Sequence, residues 1–131
     1  TPFVVNCFYY CDPDGKTTYV QSKEKFPVDE RTPDIKSLHF TNIECEDCHV
    51  AVAFYLGLPE QKIKELVMEN INVSYAKNPK VDVPAMTCDI EPCSRAGVLA
   101  TNIEKLILKN VNISGQEGEP FILDQIDQII R

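Results

Sequence analysis

Apolar and polar positions follow the same order in three stretches of the chain, which begin at Ile35, Ile63 and Ile103. In each stretch apolar residues stand at offsets 0, 3, 5, 8 and 10 from the isoleucine, and an asparagine stands at offset 7. The alternation around offsets 3 and 5, and again around 8 and 10, is typical of strands with one buried face. Each stretch, called a repeat below, is therefore predicted to form a strand, a bend at the asparagine, and a second strand. A shorter fourth copy begins at Ile126.

The spacing of the repeats indicates how they are arranged. They begin 28 and then 40 residues apart, which does not suit repeat proteins with a nearly fixed unit length, such as ankyrin. Unequal spacing suits a parallel β-helix, in which each coil keeps its strands while one turn expands into a loop. Equivalent residues of successive coils would then lie about 4.8 Å apart. The chain is therefore predicted to be all-β and to form about three to four coils of a parallel β-helix, or solenoid.

The asparagine of the repeats is Asn42, Asn70 or Asn110. In stacked coils these side chains would form a hydrogen-bonded ladder, in which each bond contributes about 1 kcal/mol net. The alternative is that asparagine stands there only because it tolerates the backbone of the bend.

A helix is the alternative interpretation of residues 59–70. Pro59 near the start, followed by Ile63 and Leu66, also fits an amphipathic helix. The matching segments of the other two repeats are richer in Thr, Ile and Asn. Since one pattern should have one structure, we expect a strand here as well.

The rest of the chain consists of further apolar runs and two long polar segments. The apolar runs predict additional strands at residues 1–11, 50–57, 97–102 and 120–123. The polar segments, about 12–34 and 76–94, are predicted to be loops, and the first opens with the turn sequence Asp-Pro-Asp-Gly at 12–15. A chain of 131 residues is expected to form a single domain, residues 1–131.

Charge and hydropathy exclude nucleic-acid binding and a membrane-spanning segment. The net charge is −7, and the 13 Lys and Arg residues are scattered singly, whereas nucleic-acid binding requires a clustered basic face. No apolar run reaches the roughly 18 residues of a membrane span.

The chain begins with Thr1 rather than Met, so we expect a processed or excised piece, and an earlier leader stays an open alternative.

The chain has six cysteines, an even number whose spacing differs from that of small disulfide-stabilised proteins. Cys45 stands at an inward offset of the first repeat and is predicted to be a free thiol in the core. Core thiols suit a reducing compartment such as the cytoplasm. The alternatives are a disulfide module, or a zinc site of Cys45, Cys48 and His49 with Cys7 and Cys11. We expect no metal and no cofactor.

Other polar residues have simple explanations in the repeat. His39 and His49 are predicted to be solvated strand residues rather than acid–base catalysts. Asn72 and Asn112 match the N-glycosylation acceptor pattern, but both occupy the same offset of the repeat, which accounts for them. The acidic cluster at 44–47 is expected to form a solvated face.

Recognisable sequence occurs in three parts of the chain: residues 1–15 with 28–33, residues 48–51 with 55–61, and residues 115–123. Together these parts resemble the C-terminal portion of bacterial polygalacturonase-like proteins, glycoside hydrolase family 28. The resemblance implies a right-handed parallel β-helix. It also implies that the full-length protein hydrolyses the α-1,4 linkages of polygalacturonate or a related pectic polysaccharide with inversion.

The resemblance does not extend to catalysis. Inversion requires an acid and a base about 6.5–9.5 Å apart, and the family provides its catalytic groups from Asn-x-Asp, Asp-Asp, His-Gly and Arg-x-Lys motifs. None of these motifs occurs in the chain. In the family they lie N-terminal to the part that is similar here. The chain is therefore predicted to be the last coils of a longer pectin-degrading enzyme, inactive by itself and without a catalytic residue.

Tyr9, Tyr10 and Tyr55 are the candidates for substrate binding, because tyrosine rings stack on sugars. The alternative is that these rings anchor the core or the loops. The expected partner is a pectic oligo- or polysaccharide in the full-length parent, although the net negative charge disfavours a polyanion. Self-association through exposed strand edges is also expected. The competing hypothesis is a non-enzymatic β-solenoid that binds carbohydrate or protein.

Overall fold

The computed structural model describes residues 1–131, about half of which lie in the strands of one curled parallel sheet. The only helix, α1, is a single turn, and no helix is long and apolar enough to cross a membrane. The elements, in chain order, are β1 (Phe3–Asn6), α1 (Thr18–Gln21), β2 (Ser37–Cys48), β3 (Ala51–Leu56), β4 (Ile63–Tyr75), β5 (Ala96–Ser114) and β6 (Phe121–Ile130).

The strands lie in four layers that pair in parallel. Layer 1 contains β1 and β2, layer 2 contains β3 and β4, layer 3 is the long strand β5, and layer 4 is β6. Pairing of β1, β3, β5 and β6 makes column one, and pairing of β2, β4, β5 and β6 makes column two. A third column contains the last residues of β2, β4 and β5 beyond the asparagine bend. The chain, predicted to be all-β, is mostly β and forms a curled parallel sheet, so the prediction is confirmed to that extent.

The repeats stack in register, as the shared pattern predicts. Leu38 pairs with Leu66, which pairs with Leu106, which pairs with Ile129 of the fourth copy. Each repeat is a strand with a bend at its asparagine. The helical alternative for 59–70 is wrong, because Ile63–Tyr75 is strand β4.

The asparagine ladder is present. The Nδ2 of Asn70 donates to the Oδ1 of Asn42 at 3.0 Å, and the Nδ2 of Asn110 donates to the Oδ1 of Asn70 at 2.9 Å. All three residues have φ between 51° and 56°, the left-handed region that asparagine enters more readily than most residues. Both explanations for the asparagine are therefore correct: it permits the bend, and its side chain forms hydrogen bonds across the layers.

Burial along an inward row depends on the layer. Leu66 and Leu106, in layers 2 and 3, are 0% exposed, whereas Leu38 in layer 1 is half-buried and Ile129 in layer 4 is 43% exposed. Strands β1, β2 and β6 each pair with one neighbour only. The core is therefore concentrated in the two middle layers.

The turn from column one to column two differs in length between layers. It comprises residues 7–36 in layer 1 and residues 57–62 in layer 2, and in layers 3 and 4 it is a single left-handed residue, Asn102 or Gln125. We call residues 7–36 loop A. Residues 76–95, between β4 and β5, are loop B, which contains one isolated antiparallel bridge, between Asp82 and Cys93.

One detail of the sequence prediction changes. The first strand ends at Asn6 rather than continuing to Cys11, because the Asn6 side chain bonds both backbone groups of Phe8 and turns the chain into loop A. All six cysteines are free, and Cys45 is half-buried against the main core. No group of three or more His, Cys, Asp and Glu side chains is arranged to hold a metal ion.

Candidate functional site

A groove of about 340 Å³ lies on the outer face of column one. Its floor contains one residue from each layer, in register: Asn6, Leu56, Thr101 and Asp124. These side chains point outward because Tyr55, the neighbour of Leu56, packs in the core and side chains alternate along a strand. With neighbouring strands about 4.8 Å apart, three steps give a floor about 14 Å long. The groove therefore crosses the strands and runs along the stack.

Both loops form walls of the groove. Loop A contributes Phe8 and Lys23, and loop B contributes Thr87, Cys88 and Ile90. The remaining lining residues are Pro59, Asn102 and Gln125. Polar and apolar groups are mixed around the groove, as is typical of small-molecule and oligomer binding sites.

One backbone carbonyl joins the floor to both loops. The Met86 oxygen, in loop B, accepts from the Asn6 Nδ2 at 2.7 Å and from the Tyr10 backbone N–H at 3.1 Å. Met86 has φ 59°, an uncommon conformation for a long side chain that costs about 1 kcal/mol or more. The position of loop B at the groove is thus held against local strain.

Loop A is fixed by the short helix. Thr17 caps α1 by accepting from the Val20 N–H at 3.3 Å. At the other end of α1 the Gln21 Nε2 donates to the Phe8 carbonyl at 2.8 Å and to the Gly15 carbonyl at 2.9 Å. The Phe8 wall is therefore bonded from two directions, by Gln21 and by Asn6.

At one end of the groove floor, the backbones of layers 2 and 3 lie in close contact. The Asn102 Nδ2 donates to the Gly57 carbonyl at 3.0 Å. A Cβ atom on Gly57 would lie 2.2 Å from the Asn102 carbonyl oxygen, so only glycine permits this approach. Replacing Gly57 would push the two layers apart beside the groove.

Two isolated charges face the groove. Lys23 is its only cation and Asp124 its only carboxylate, and neither belongs to an ion pair. The Lys23 Nζ lies 3.5 Å from the centroid of the Phe8 ring. Burial lowers the pKa of Lys23, against a smaller opposing effect of Asp89 and Cys88. A single carboxylate does not make an acid–base pair, so the groove can bind a ligand but lacks the second group that inverting hydrolysis needs.

The three tyrosines proposed from the sequence do not meet. Tyr55 is fully buried, its ring stacks on Phe40 with centroids 5.9 Å apart, and burial raises its pKa. Its ring is therefore a core element that presents no face to a ligand. Tyr9 is 39% exposed and Tyr10 half-buried, with the Lys16 Nζ 5.4 Å from the Tyr10 ring centroid. Both lie in loop A, outside the groove lining.

A second polar cluster lies on the outer face of column two. The His39 Nε2 is 2.9 Å from the Ser37 Oγ and 3.1 Å from a Glu65 oxygen, and the other Glu65 oxygen is 3.4 Å from the Lys105 Nζ. The residue types match a serine hydrolase triad, but the geometry does not, because both partners meet the same ring nitrogen. A triad requires the acid on the opposite nitrogen. The cluster is an exposed network that links layers 1, 2 and 3.

Part of the signal for the groove is present in the sequence. Asn102 closes the strand predicted at 97–102, whereas Asn6 stands inside an apolar run that continues to residue 11, so the end of the first strand at Asn6 has no signal of its own in the sequence. Nothing in the sequence indicates that Lys23 or Cys88 reaches the same groove, because their positions depend on the paths of the two loops.

Comparisons with known protein families, with characterised proteins and with solved structures found no match for the chain. The resemblance to glycoside hydrolase family 28 therefore stays a prediction from the sequence.

Proposed function

We propose that the chain forms coils of a right-handed parallel β-helix and belongs to the C-terminal part of a polygalacturonase-like glycoside hydrolase that acts on pectic polysaccharide. The observation that carries this proposal is the groove, whose floor takes one residue from each of four stacked strands. Because the floor extends along the stack with one residue per layer, it suits an extended polymer better than a compact metabolite.

The chain path supports the β-helix. From β1 the chain passes to column two, continues into column three within β2, and returns to column one as β3, one layer further on. The same circuit through β4 leads to β5. Parallel strands joined by such crossovers are right-handed in about 98% of cases, which is the basis for the proposed hand.

The groove lining supports a carbohydrate ligand. Sugars present hydroxyl groups at their edges and C–H groups on their faces. The groove offers side-chain hydrogen-bonding groups at Thr101 and Asp124 beside apolar surfaces at Leu56, Pro59 and Ile90. Thr101 and Asp124 have no side-chain hydrogen bond within the protein, unlike Asn6, whose amide is already bonded.

The proposed division of labour places catalysis outside this chain. Inverting hydrolysis requires two carboxyl groups separated by a water, and the groove contains only Asp124. Residues 1–131 would bind part of the polymer, while the acid and base come from coils N-terminal to Thr1 in the parent protein.

The product of the complete gene should be assayed on polygalacturonate. We expect release of reducing ends, and NMR of the first products should show the β-anomer, because inversion converts the α linkage. Residues 1–131 alone should release none. A complete product that lacks an Asp-Asp pair and does not cleave pectic polymers would overturn the hydrolase assignment.

A non-enzymatic β-solenoid that binds carbohydrate is the second candidate. The single carboxylate of the groove favours it, because binding needs no acid–base pair. Saturable binding of pectic oligosaccharides by the complete gene product, without cleavage, would select this candidate.

A further inference from the structure

We propose that the free edge of β6 is an interface at which two copies of this chain pair in an antiparallel direction, about a two-fold axis through Ile126. The sequence alone predicts association through some strand edge. The structure indicates which edge pairs, in which register and with which symmetry. The inference is independent of the proposed pectic ligand, because it uses only the pairing, exposure and residue order of layer 4.

Layer 4 is the less protected end of the stack. Strand β6 pairs with β5 and with no other strand. Its large apolar side chains include Ile122, 52% exposed, and Ile129, 43% exposed, whereas β1 and β2 at the opposite end have no large apolar side chain that is exposed. Natural edge strands are often protected by lysine or proline, and β6 contains neither. Its edge is therefore suited to pairing with another strand.

The residue types of β6 match in both directions from Ile126. Leu123 and Ile129 lie three positions away on either side, and both stand in inward rows of the stack. The remaining positions of the strand match in the same way: Ile122 with Ile130, Asp124 with Gln128, and Gln125 with Asp127. Antiparallel pairing centred on Ile126 therefore sets apolar side chains opposite apolar ones and each carboxylate opposite a side-chain amide.

The bend of β6 fits this symmetry. Gln125, next to Ile126, has φ 54° and turns the strand from column one to column two. A two-fold axis that bisects the corner places the column-one arm of one copy on the column-two arm of the other. It also keeps the inward face of each copy on the inward face of the other. The two uncovered core ends would then cover each other, and such an interface closes at two copies.

Charge disfavours the neighbouring registers. A shift of one residue in one direction sets Asp124 opposite Asp127, and like charges directly opposite each other are unfavourable. A shift of one residue in the other direction sets Ile126 opposite Asp127. In the centred register each of these carboxylates can accept a hydrogen bond from a glutamine of the other copy, which is a charge-assisted bond.

The two ends of β6 complete the match. Within one chain the Arg131 guanidinium carbon lies 5.4 Å from the centroid of the Phe121 ring. Both residues stand five positions from Ile126, so the centred register also sets them opposite each other across the interface. Each ring would then lie near the guanidinium groups of both copies, which are attracted to the faces of aromatic rings.

The test measures self-association of the chain by sedimentation velocity or light scattering, from micromolar to millimolar concentration. We expect a monomer–dimer equilibrium with a micromolar dissociation constant, because one bent strand from each copy makes an interface below the standard size. Added salt should strengthen the dimer of the unmodified chain, since two copies of net charge −7 repel each other. Amide hydrogen exchange should slow in β6 as the concentration rises, and not in β2.

Gln128 offers two variants of opposite effect at an exposed position. Gln128→Asp sets a carboxylate opposite Asp124 of the other copy and should weaken the dimer roughly tenfold, because the change occurs twice in a symmetric pair. Gln128→Lys sets an ammonium group there and should strengthen it severalfold. Thr41→Asp and Thr41→Lys are the matched controls, since Thr41 is exposed in β2 at the opposite end of the stack, and both should leave the dimer unchanged. Circular dichroism checks that each variant folds.

Several results would overturn the inference. A monomer at every concentration would mean that β6 does not pair. Assembly beyond the dimer, or equal sensitivity to the Thr41 variants, would indicate head-to-tail stacking that involves layer 1. Weakening by both Gln128 variants, or by neither, would exclude the centred register. If the Gln128 variants do not fold, hydrogen exchange in the unmodified chain still identifies the paired edge. None of these measurements uses polygalacturonate, so failure of this interface and failure of the hydrolase assignment are distinguishable.

Discussion

The asparagine ladder and the groove floor are both rows of residues that cross the layers in register, and they differ in how their side chains are bonded. In the ladder each amide donates to the next, from Asn110 through Asn70 to Asn42. In the groove floor no side-chain hydrogen bond joins neighbours, and Thr101 and Asp124 have no side-chain partner at all. A row of like residues satisfies itself and stabilises the stack. A row of unlike residues keeps hydrogen-bonding capacity that a ligand can use.

The largest expected effect on stability concerns the inward row that contains Leu66, whose side chains pack against one another in the core. Leu66→Ala in layer 2 should lower the free energy of unfolding by about 2–5 kcal/mol, because it leaves a cavity in a fully buried site. Ile129→Ala in layer 4 should cost roughly 1 kcal/mol, because that side chain is already 43% exposed. Urea unfolding of both variants measures the difference. Equal losses would contradict a core centred on the middle layers.

The ladder should come second. Asn70→Ala removes two hydrogen bonds and forces alanine to φ near 54°, so we expect a loss of about 1–3 kcal/mol. Asn70→Gly removes the same bonds but adopts that φ without strain, and should cost about half as much. The pair of variants, compared by thermal or urea unfolding, separates the two roles of asparagine. If Asn70→Gly costs nothing, the ladder bonds do not stabilise the protein.

A smaller effect is expected in the row that contains Glu65 and Lys105, where unlike residues are paired by charge. The hydrogen bond from His39, with help from Lys105, lowers the pKa of Glu65. A lowered folded pKa adds stability above the ordinary pKa of glutamate, and that stability is lost as the pH falls through the folded value. Glu65→Gln should therefore flatten the fall of the melting temperature between neutral and acidic pH. Since Glu65 is solvent-accessible the change should be slight, and a steeper fall in the variant would refute it.

The smallest effect on stability is expected in the groove floor. Thr101→Val keeps the shape of the side chain and removes a hydroxyl that has no partner in the protein, so unfolding should change by no more than about 0.5 kcal/mol. Binding of trigalacturonate should nevertheless weaken severalfold. Calorimetry on the variant tests both statements. A large loss of stability would mean that this row supports the stack, as the ladder does.

The repeats could be predicted because their signal is local and occurs three times. Offsets in the sequence identify the inward residues Leu66 and Met68 and the bend at Asn70, and the structure places all three as expected. The direction of Tyr55 could not be read in the same way, because residues 50–56 are all apolar and show no alternation. Within this run the Tyr55 side chain packs in the main core, whereas the Phe54 side chain packs in a second, smaller cluster under loop B.

The groove could be predicted only in part, for a different physical reason. Its floor follows from the register of the strands, which the repeats define. Its walls depend on contacts between residues far apart in the chain, such as the Asn6 side chain with the Met86 carbonyl. No periodicity reports such contacts, so neither the position of Lys23 nor the meeting of loops A and B is visible in the sequence.

The variable turn between columns one and two has a consequence for how this molecule can change. The turn is one residue in layer 3 and spans residues 7–36 in layer 1, yet the strands on either side keep the same pairing. Each doubling of loop length costs only about 0.6 kcal/mol of closure entropy. Insertions and deletions at this corner can therefore reshape the binding surface while the framework below stays unaltered, so that recognition and folding are free to evolve separately.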